Sequence, residues 1–168
     1  DSLGIFYEMM TQLLGFQNYG DEYKLMGLAS YGKPIYFDRL KDNLFKKNQL
    51  FKLNCEYFNH DKKNFSYKFS GVPKQNNIFN ENIYKIFLKE ELNNNREDVA
   101  ASTQKVYEHY LLKIIKYSLS LYKSNNLCLS GGCALNSSAN GKIQKNFDIN
   151  KIFIPYAPGD GGGAIGSA

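Results

Sequence analysis

A chain of 168 residues with 43% hydrophobic and 15% aromatic content can bury a sizeable core, which excludes a disordered polypeptide. A net charge of +5, spread over scattered lysines, forms no concentrated basic patch, so a nucleic-acid partner is not indicated. Three cysteines without a C-x-x-C pair do not make a secreted disulfide framework, and no apolar run reaches the roughly 18 residues of a membrane span, so the cytoplasm is the simplest compartment.

Ser2 is placed to cap a helix running to about Leu14, with Leu3, Phe6, Met10 and Leu13 on one face. Gly15 followed by Phe16 is its predicted stop. The run from Gly20 to Pro34 is rich in small residues and closed by Gly32 and Pro34. At the start of a short helix there, Glu22 could accept from a ribose hydroxyl and Lys24 could reach a phosphate. A solvent-facing ion pair is the competing reading. Asp38 to Phe45 predicts a further short helix.

From Leu50 to Phe69 the pattern is aromatic and strand-like, with alternation over residues 64–70 and a turn at residues 59–62, so a β-hairpin excursion near 50–70 is expected. Its lysines read as a solubilising surface, and His60 in the turn shows no metal-ligand companion in the sequence. Val72 to Gln75 reads as a linker and Glu81 to Leu92 as a helix. Asn95 and Asp98 give a capping-box-like start to a long helix, whose apolar stripe runs through Val99, Val106, Tyr107, Tyr110, Leu111, Ile114, Ile115 and Leu119. Gln104 and His109 lie on or near that stripe, and His109 is expected to be a core or boundary histidine.

The last stretch carries the chemistry. Leu127-Cys-Leu-Ser-Gly-Gly-Cys-Ala-Leu-Asn136 and Ile152-Phe-Ile-Pro155 with Gly159-Asp160-Gly-Gly-Gly163 each read as a short apolar strand, a glycine turn and a helix start. Gly131 and Gly132 would let backbone pass close to a ligand, and the following helix offers unpaired N–H groups to an anion. Asp160, at the end of a strand, is placed to hold a hard cation beside phosphate oxygens. Cys128 in an apolar strand is expected to pack rather than react. Simple strand-to-helix connection competes with the nucleotide reading of both turns. Gly161, Gly163 and Gly166 also spell G-x-G-x-x-G, but the acidic ribose contact expected about 20 residues on has no counterpart before Ala168, which disfavours a dinucleotide oxidoreductase.

Four blocks stand in order along the chain: Ser2-Leu-Gly-Ile-Phe-Tyr7 running into Leu14-Gly-Phe16; Glu22-Tyr-Lys-Leu-Met-Gly-Leu-Ala-Ser-Tyr-Gly32 with Pro34; Ser130-Gly-Gly-Cys-Ala-Leu-Asn136 with Asn140-Gly141; and Pro155 to Ala168. In these blocks the chain resembles the nodulation-type and antibiotic-tailoring O-carbamoyltransferases. The resemblance implies an α/β fold, the second lobe of an actin-like, sugar-kinase-type (ASKHA) ATPase, mostly helical, with parallel strands at 127–130 and 151–155. It implies ATP and carbamoyl phosphate as substrates, carbamoyl adenylate as the activated species, a divalent metal (iron or magnesium) and a small-molecule hydroxyl as acceptor. By position, Asp160 would bind the metal, Gly131, Gly132 and Asn136 would flank the nucleoside, and Glu22 and Lys24 would lie near ribose and phosphates.

Cys133 stands where the family often has a small aliphatic residue. The family's histidine pair and further aspartate are expected before Asp1, and its carbamoyl-phosphate-activating domain after Ala168. The chain therefore reads as part of a transferase domain, catalytically inactive by itself, with unpaired sheet edges that would favour self-association. A tRNA threonylcarbamoyl-transfer enzyme and a non-catalytic nucleotide-binding scaffold are the alternatives. Two histidines four residues apart upstream of Asp1 would favour the transferase.

Overall fold

The computed structural model describes residues 1–62, 66–69 and 71–168. The chain divides into two compact units, Asp1–Tyr107 and Glu108–Ala168, with one long helix belonging partly to each.

Unit 1 opens with helix α1 (Leu3–Leu13), capped where expected: the Ser2 hydroxyl accepts the Gly4 N–H at 3.0 Å. The helix ends through a left-handed glycine. Gly15, at φ +86°, donates to Gln12 and Phe16 donates to Thr11, so the last carbonyls are satisfied by two turn hydrogen bonds. Leu3, Phe6 and Met10 are buried as predicted, joined by Tyr7, Met9 and Leu14, while Leu13 is only half-buried. The Tyr7 hydroxyl donates to the Gln104 side-chain oxygen at 2.7 Å, which satisfies two polar groups inside the core.

Helix α2 (Glu22–Leu28) runs into a single 3-10 turn (Ala29–Tyr31), and helix α3 spans Phe37–Leu44. The bend between them is fixed by close approach of backbone. A Cβ on Gly32 would lie 2.0 Å from the Glu97 carbonyl oxygen, and the next N–H, of Lys33, donates to the Asp98 carboxylate at 2.7 Å. Asp98, expected to work in a capping box with Asn95, thus anchors this bend. Arg39 on α3 stacks on Tyr36 and Phe87 and pairs with Glu91 of helix α4 (Lys89–Asn94).

The excursion between these helices differs from the hairpin expected near 50–70. Residues 51–58 form isolated bridges (Phe45 with Leu53, Phe58 with Phe79) and a 3-10 turn at Cys55–Tyr57, rather than a strand. The turn at residues 59–62 is present. The alternating stretch 64–70 lies partly outside the described residues. Its described part forms strand β1 (Tyr67–Lys68), which pairs antiparallel with β2 (Lys74–Gln75) and is exposed on both faces rather than half-buried. The presumed linker is therefore half of the hairpin, because Gly71 at φ +81° supplies the turn that a linker does not need. The segment beyond is clamped to α1 by one buried side chain. Gln12 accepts the Ile78 N–H at 2.8 Å and donates to the Asn76 carbonyl at 3.4 Å.

The helix expected over Glu81–Leu92 is broken. A 3-10 stretch (Glu81–Lys85), capped by the Asn80 side chain, gives way at Leu88 to extended backbone and then to α4. Ile83, Ile86 and Phe87 are buried at the spacing of a single helix face, and the break falls at Leu88, where extended backbone leaves the side chain exposed.

Helix α5 (Arg96–Tyr122) buries Val99, Val106, Tyr107, Tyr110 and Ile115 of the predicted stripe and leaves Leu111, Ile114 and Leu119 half-buried, while residues 99–104 are buried on every side, with Ala100, Ala101, Ser102 and Thr103 as the small residues that permit it. Arg96 closes the end of α1 by donating to the Leu14 carbonyl at 2.6 Å while stacking on Phe16. His109 is exposed on the face of α5 that also carries the exposed Lys105, Lys113 and Lys116, which corrects the core or boundary role expected of it. No helix among the described residues is long and apolar enough to cross a membrane.

Unit 2 is a parallel β–α–β arrangement. Strand β3 (Asn126–Cys128) pairs with β4 (Lys151–Phe153) in the register Leu127 to Ile152, shorter than the strands expected at 127–130 and 151–155. Helix α6 (Ser137–Asn146) makes the crossover, burying Ala139 and Ile143, and its Lys142 pairs with the buried Glu108 of α5. Helix α7 spans Asp160–Gly166. Cys128 is exposed rather than packed, since only Leu127 and Ile152 point to the half-buried side of this short sheet.

Gly32→Ala should lower stability by about 2–4 kcal/mol, since the methyl group meets backbone that cannot yield without moving α5. Gly15→Ala should cost only about 1 kcal/mol, from its left-handed backbone. Urea unfolding of both variants checks the order.

Candidate functional site

The two glycine turns of unit 2 leave the same end of a parallel strand pair, so they lie side by side. The Gly131 N–H donates to the Pro158 carbonyl at 2.7 Å, and the Ser130 hydroxyl reaches the same oxygen at 3.3 Å. Leu135 comes within 3.9 Å of the position a Cβ would take on Gly159. Gly131 sits at φ +91°, where any other residue would be strained. Its own carbonyl accepts the Ala134 N–H at 3.0 Å and starts a 3-10 turn over Gly132–Leu135. Gly132 faces open space and is exposed.

Asn136 is buried and serves the backbone: its side-chain oxygen accepts the Ala139 N–H at 3.0 Å and caps α6. Asn140 supports the same turn from inside, donating to the Ala134 carbonyl at 2.7 Å. In the second turn the glycines are not equivalent. A Cβ on Gly162 would lie 2.0 Å from the Ala157 carbonyl oxygen, whereas Gly161 and Gly163 have open space. Asp160, the first residue of α7, is exposed. Its carboxylate is the hard oxygen donor that iron or magnesium accepts, but it is one ligand, and no metal-ligand cluster among the described residues includes it. It fits such an ion as part of a larger set.

The other two predicted residues belong to unit 1. Lys24 pairs with Asp21 at 2.7 Å, and Asp21 also accepts the Asn18 N–H, so the cation is tied to the turn before α2 rather than to Glu22. The Asp21 hydrogen bond pushes the Lys24 ammonium up from its ordinary value. Burial pushes the Glu22 carboxyl up, opposed by its own backbone N–H and assisted by Asp21.

Sequence reasoning missed Glu8, half-buried on α1. Burial, with the Glu22 carboxylate as the second cause, pushes it up to about 7. Glu8 in turn contributes to the raised value of Tyr67, after burial. The signal available was a lone acid between Tyr7 and Met9, both buried. His60 also departs from expectation, since Asp1 and Cys55 stand beside it.

A family model described as carbamoyltransferase N-terminus matches residues 1–168. The chain is 38% identical over 175 residues to an uncharacterized protein of Synechocystis sp., covering 99% of this chain and 26% of that protein. It is 29% identical to nodulation protein NolO of Bradyrhizobium diazoefficiens, over 100% of this chain and 28% of the relative. With nodulation protein NolNO of Sinorhizobium fredii the identity is 27%, over 100% of this chain and 22% of the relative. The chain thus spans about a quarter of the length of the curated relatives it matches.

Two outcomes follow from this geometry. Gly162→Ala should displace the turn at residues 157–162 and destabilise the protein, whereas Gly161→Ala should be nearly neutral; thermal melts compare them. The folded chain holds the Glu8 proton up to about pH 7, while the unfolded chain releases it near the ordinary 4.5, so this group's stabilisation is complete below 4.5 and lost as pH rises to 7. Glu8→Gln should therefore stabilise the protein at pH 8 relative to pH 5, by about 1 kcal/mol after allowance for the group's partial exposure to water.

Proposed function

This chain belongs to the carbamoyltransferase N-terminus family, and on that premise we propose that the protein carrying it is an ATP- and metal-dependent O-carbamoyltransferase. It would use carbamoyl phosphate and ATP to form carbamoyl adenylate, then pass the carbamoyl group to a hydroxyl of a small molecule. The observation that carries this reading is the pair of glycine turns joined by the Gly131–Pro158 hydrogen bond at one end of parallel strands, on a chain that the family matches from end to end. That end of a parallel sheet is where α/β proteins bind nucleotides, and an actin-like lobe is the fold proposed for it.

Gly131 and Gly132 keep side chains out of the turn, so its backbone can approach a nucleoside or phosphate directly. Asn136 shapes that turn by capping α6, so its part in nucleotide binding is to position backbone. Asp160 is the metal ligand that this chain supplies; when bound, the cation would neutralise phosphate charge and polarise the carbonyl. In unit 1, Lys24 is a fixed cation for a phosphate, and Glu22 an acceptor for a ribose hydroxyl. The exposed sheet around Phe153 supports self-association as a further property of this unit.

The test is an assay of the longest gene product containing these residues with carbamoyl phosphate, ATP, a divalent metal and a panel of hydroxyl acceptors. Carbamoylated product that depends on ATP and metal is expected. Asp160→Asn should lower kcat by a factor of about 100 or more with a smaller change in ATP binding, because it removes a charge-neutralising group rather than a nucleotide contact. Activity without ATP, or unchanged in Asp160→Asn, would sink the reading.

A further inference from the structure

We propose that Asp1, Cys55 and His60 form a zinc site in unit 1. One ligand atom from each lies within 4.8 Å of the other two, although 54 positions separate Asp1 from Cys55 in the chain. Ligands at tetrahedral zinc distances of about 2.0–2.3 Å stand roughly 3.3–3.8 Å apart, so small side-chain rotations close the set around one ion.

The three ligand-bearing segments are held independently of any metal. The Asp1 carboxylate accepts the Leu53 N–H through one oxygen, at a long 3.3 Å, which aims the group at the Cys55 turn. Cys55 begins a 3-10 turn capped by the Asn54 side chain, and Asn54 donates to the Asn43 carbonyl at 3.0 Å. The turn bearing His60 is pinned by Asn59, whose N–H donates to Ile78 and whose amide donates to the Phe79 carbonyl, both at 2.6 Å. The His60 ring packs edge-on to Phe58 at 5.5 Å between centroids.

Two further observations point to a ligand. The His60 Nδ1 atom is sealed from solvent and has no hydrogen-bond partner among the described residues, so its lone pair is available to a cation. Cys55 is a free thiol, partly accessible. Thiolate, imidazole and carboxylate together suit zinc better than magnesium or calcium, and the two anionic ligands balance its charge. Three protein ligands leave a fourth position for water. On binding, the Cys55 proton passes to solvent and no redox change is required.

This site is independent of the carbamoyl-transfer reading, and its test is kept separate from it. The longest gene product carrying these residues is prepared with Asp160→Asn, so that a cation at Asp160 does not enter the signal. Titration with cobalt(II) as a spectroscopic probe should give one equivalent bound with a sulfur-to-cobalt charge-transfer band, and zinc should displace it. The band should vanish in Cys55→Ser. Zinc should raise the melting temperature of the parent and bind at least about tenfold more weakly to Asp1→Asn and His60→Ala. Asp1 is exposed, so its variant keeps the test valid if Cys55→Ser folds poorly. Absence of a thiolate–cobalt band, a band that persists in Cys55→Ser, or unaltered zinc affinity in Asp1→Asn would overturn the proposal.

Discussion

The hydrogen bond from the Gly131 N–H to the Pro158 carbonyl is the constraint on which the candidate site depends. Parallel pairing of β3 and β4 sends two turns out of one end of the sheet, but pairing ends at Cys128 and Phe153. Beyond that point the Gly131 bond, with the Ser130 hydroxyl on the same oxygen, links the two turns. The link requires Gly131 to take a left-handed backbone conformation, and the second turn requires Gly162 to lack a Cβ against Ala157. Two glycines out of a run of several are therefore fixed by sterics, and the others are free to face a ligand.

Unit 1 relies on a comparable economy. Gly32 packs against the backbone of α5, Asp98 receives the next N–H, and Arg96 closes α1. Local caps such as Ser2 and Asn80 are thus joined by contacts from residues far away in sequence. That arrangement keeps Glu8 and Glu22 near each other in a partly buried place, where two carboxyl groups cannot both ionise cheaply.

What the sequence discloses is what local chemistry determines. The Ser2 cap, the Gly15 stop, the span of α5 and the two glycine turns depend on residues within a few positions of each other, and all four lie where the residues predict. The hairpin was misplaced because its register is set by Gly71, which reads equally well as part of a linker. The 81–92 helix breaks at Leu88, although Ile83, Ile86 and Phe87 keep the spacing of one helix face, so the apolar period alone could not reveal the break. At the site, glycines and Asp160 were legible as turn chemistry; the partner of Lys24 follows from Asp21 standing three residues before it, a spacing that faces the lysine as Glu22 at two does not. Glu8, and the meeting of Asp1 with Cys55 and His60, depend on contacts between distant segments that no spacing rule reports.

Gln12 meets the segment 76–78 with one donor and one acceptor, the same pair that a neighbouring peptide group would present. It recognises main chain alone and is indifferent to the side chains carried there. The excursion held by this amide can thus drift in composition over evolutionary time, or be exchanged for a loop of different origin, as long as an extended backbone returns to the same place. The fixed position is on the helix, where a carboxylate would set an acceptor against the Asn76 carbonyl and lose half the grip.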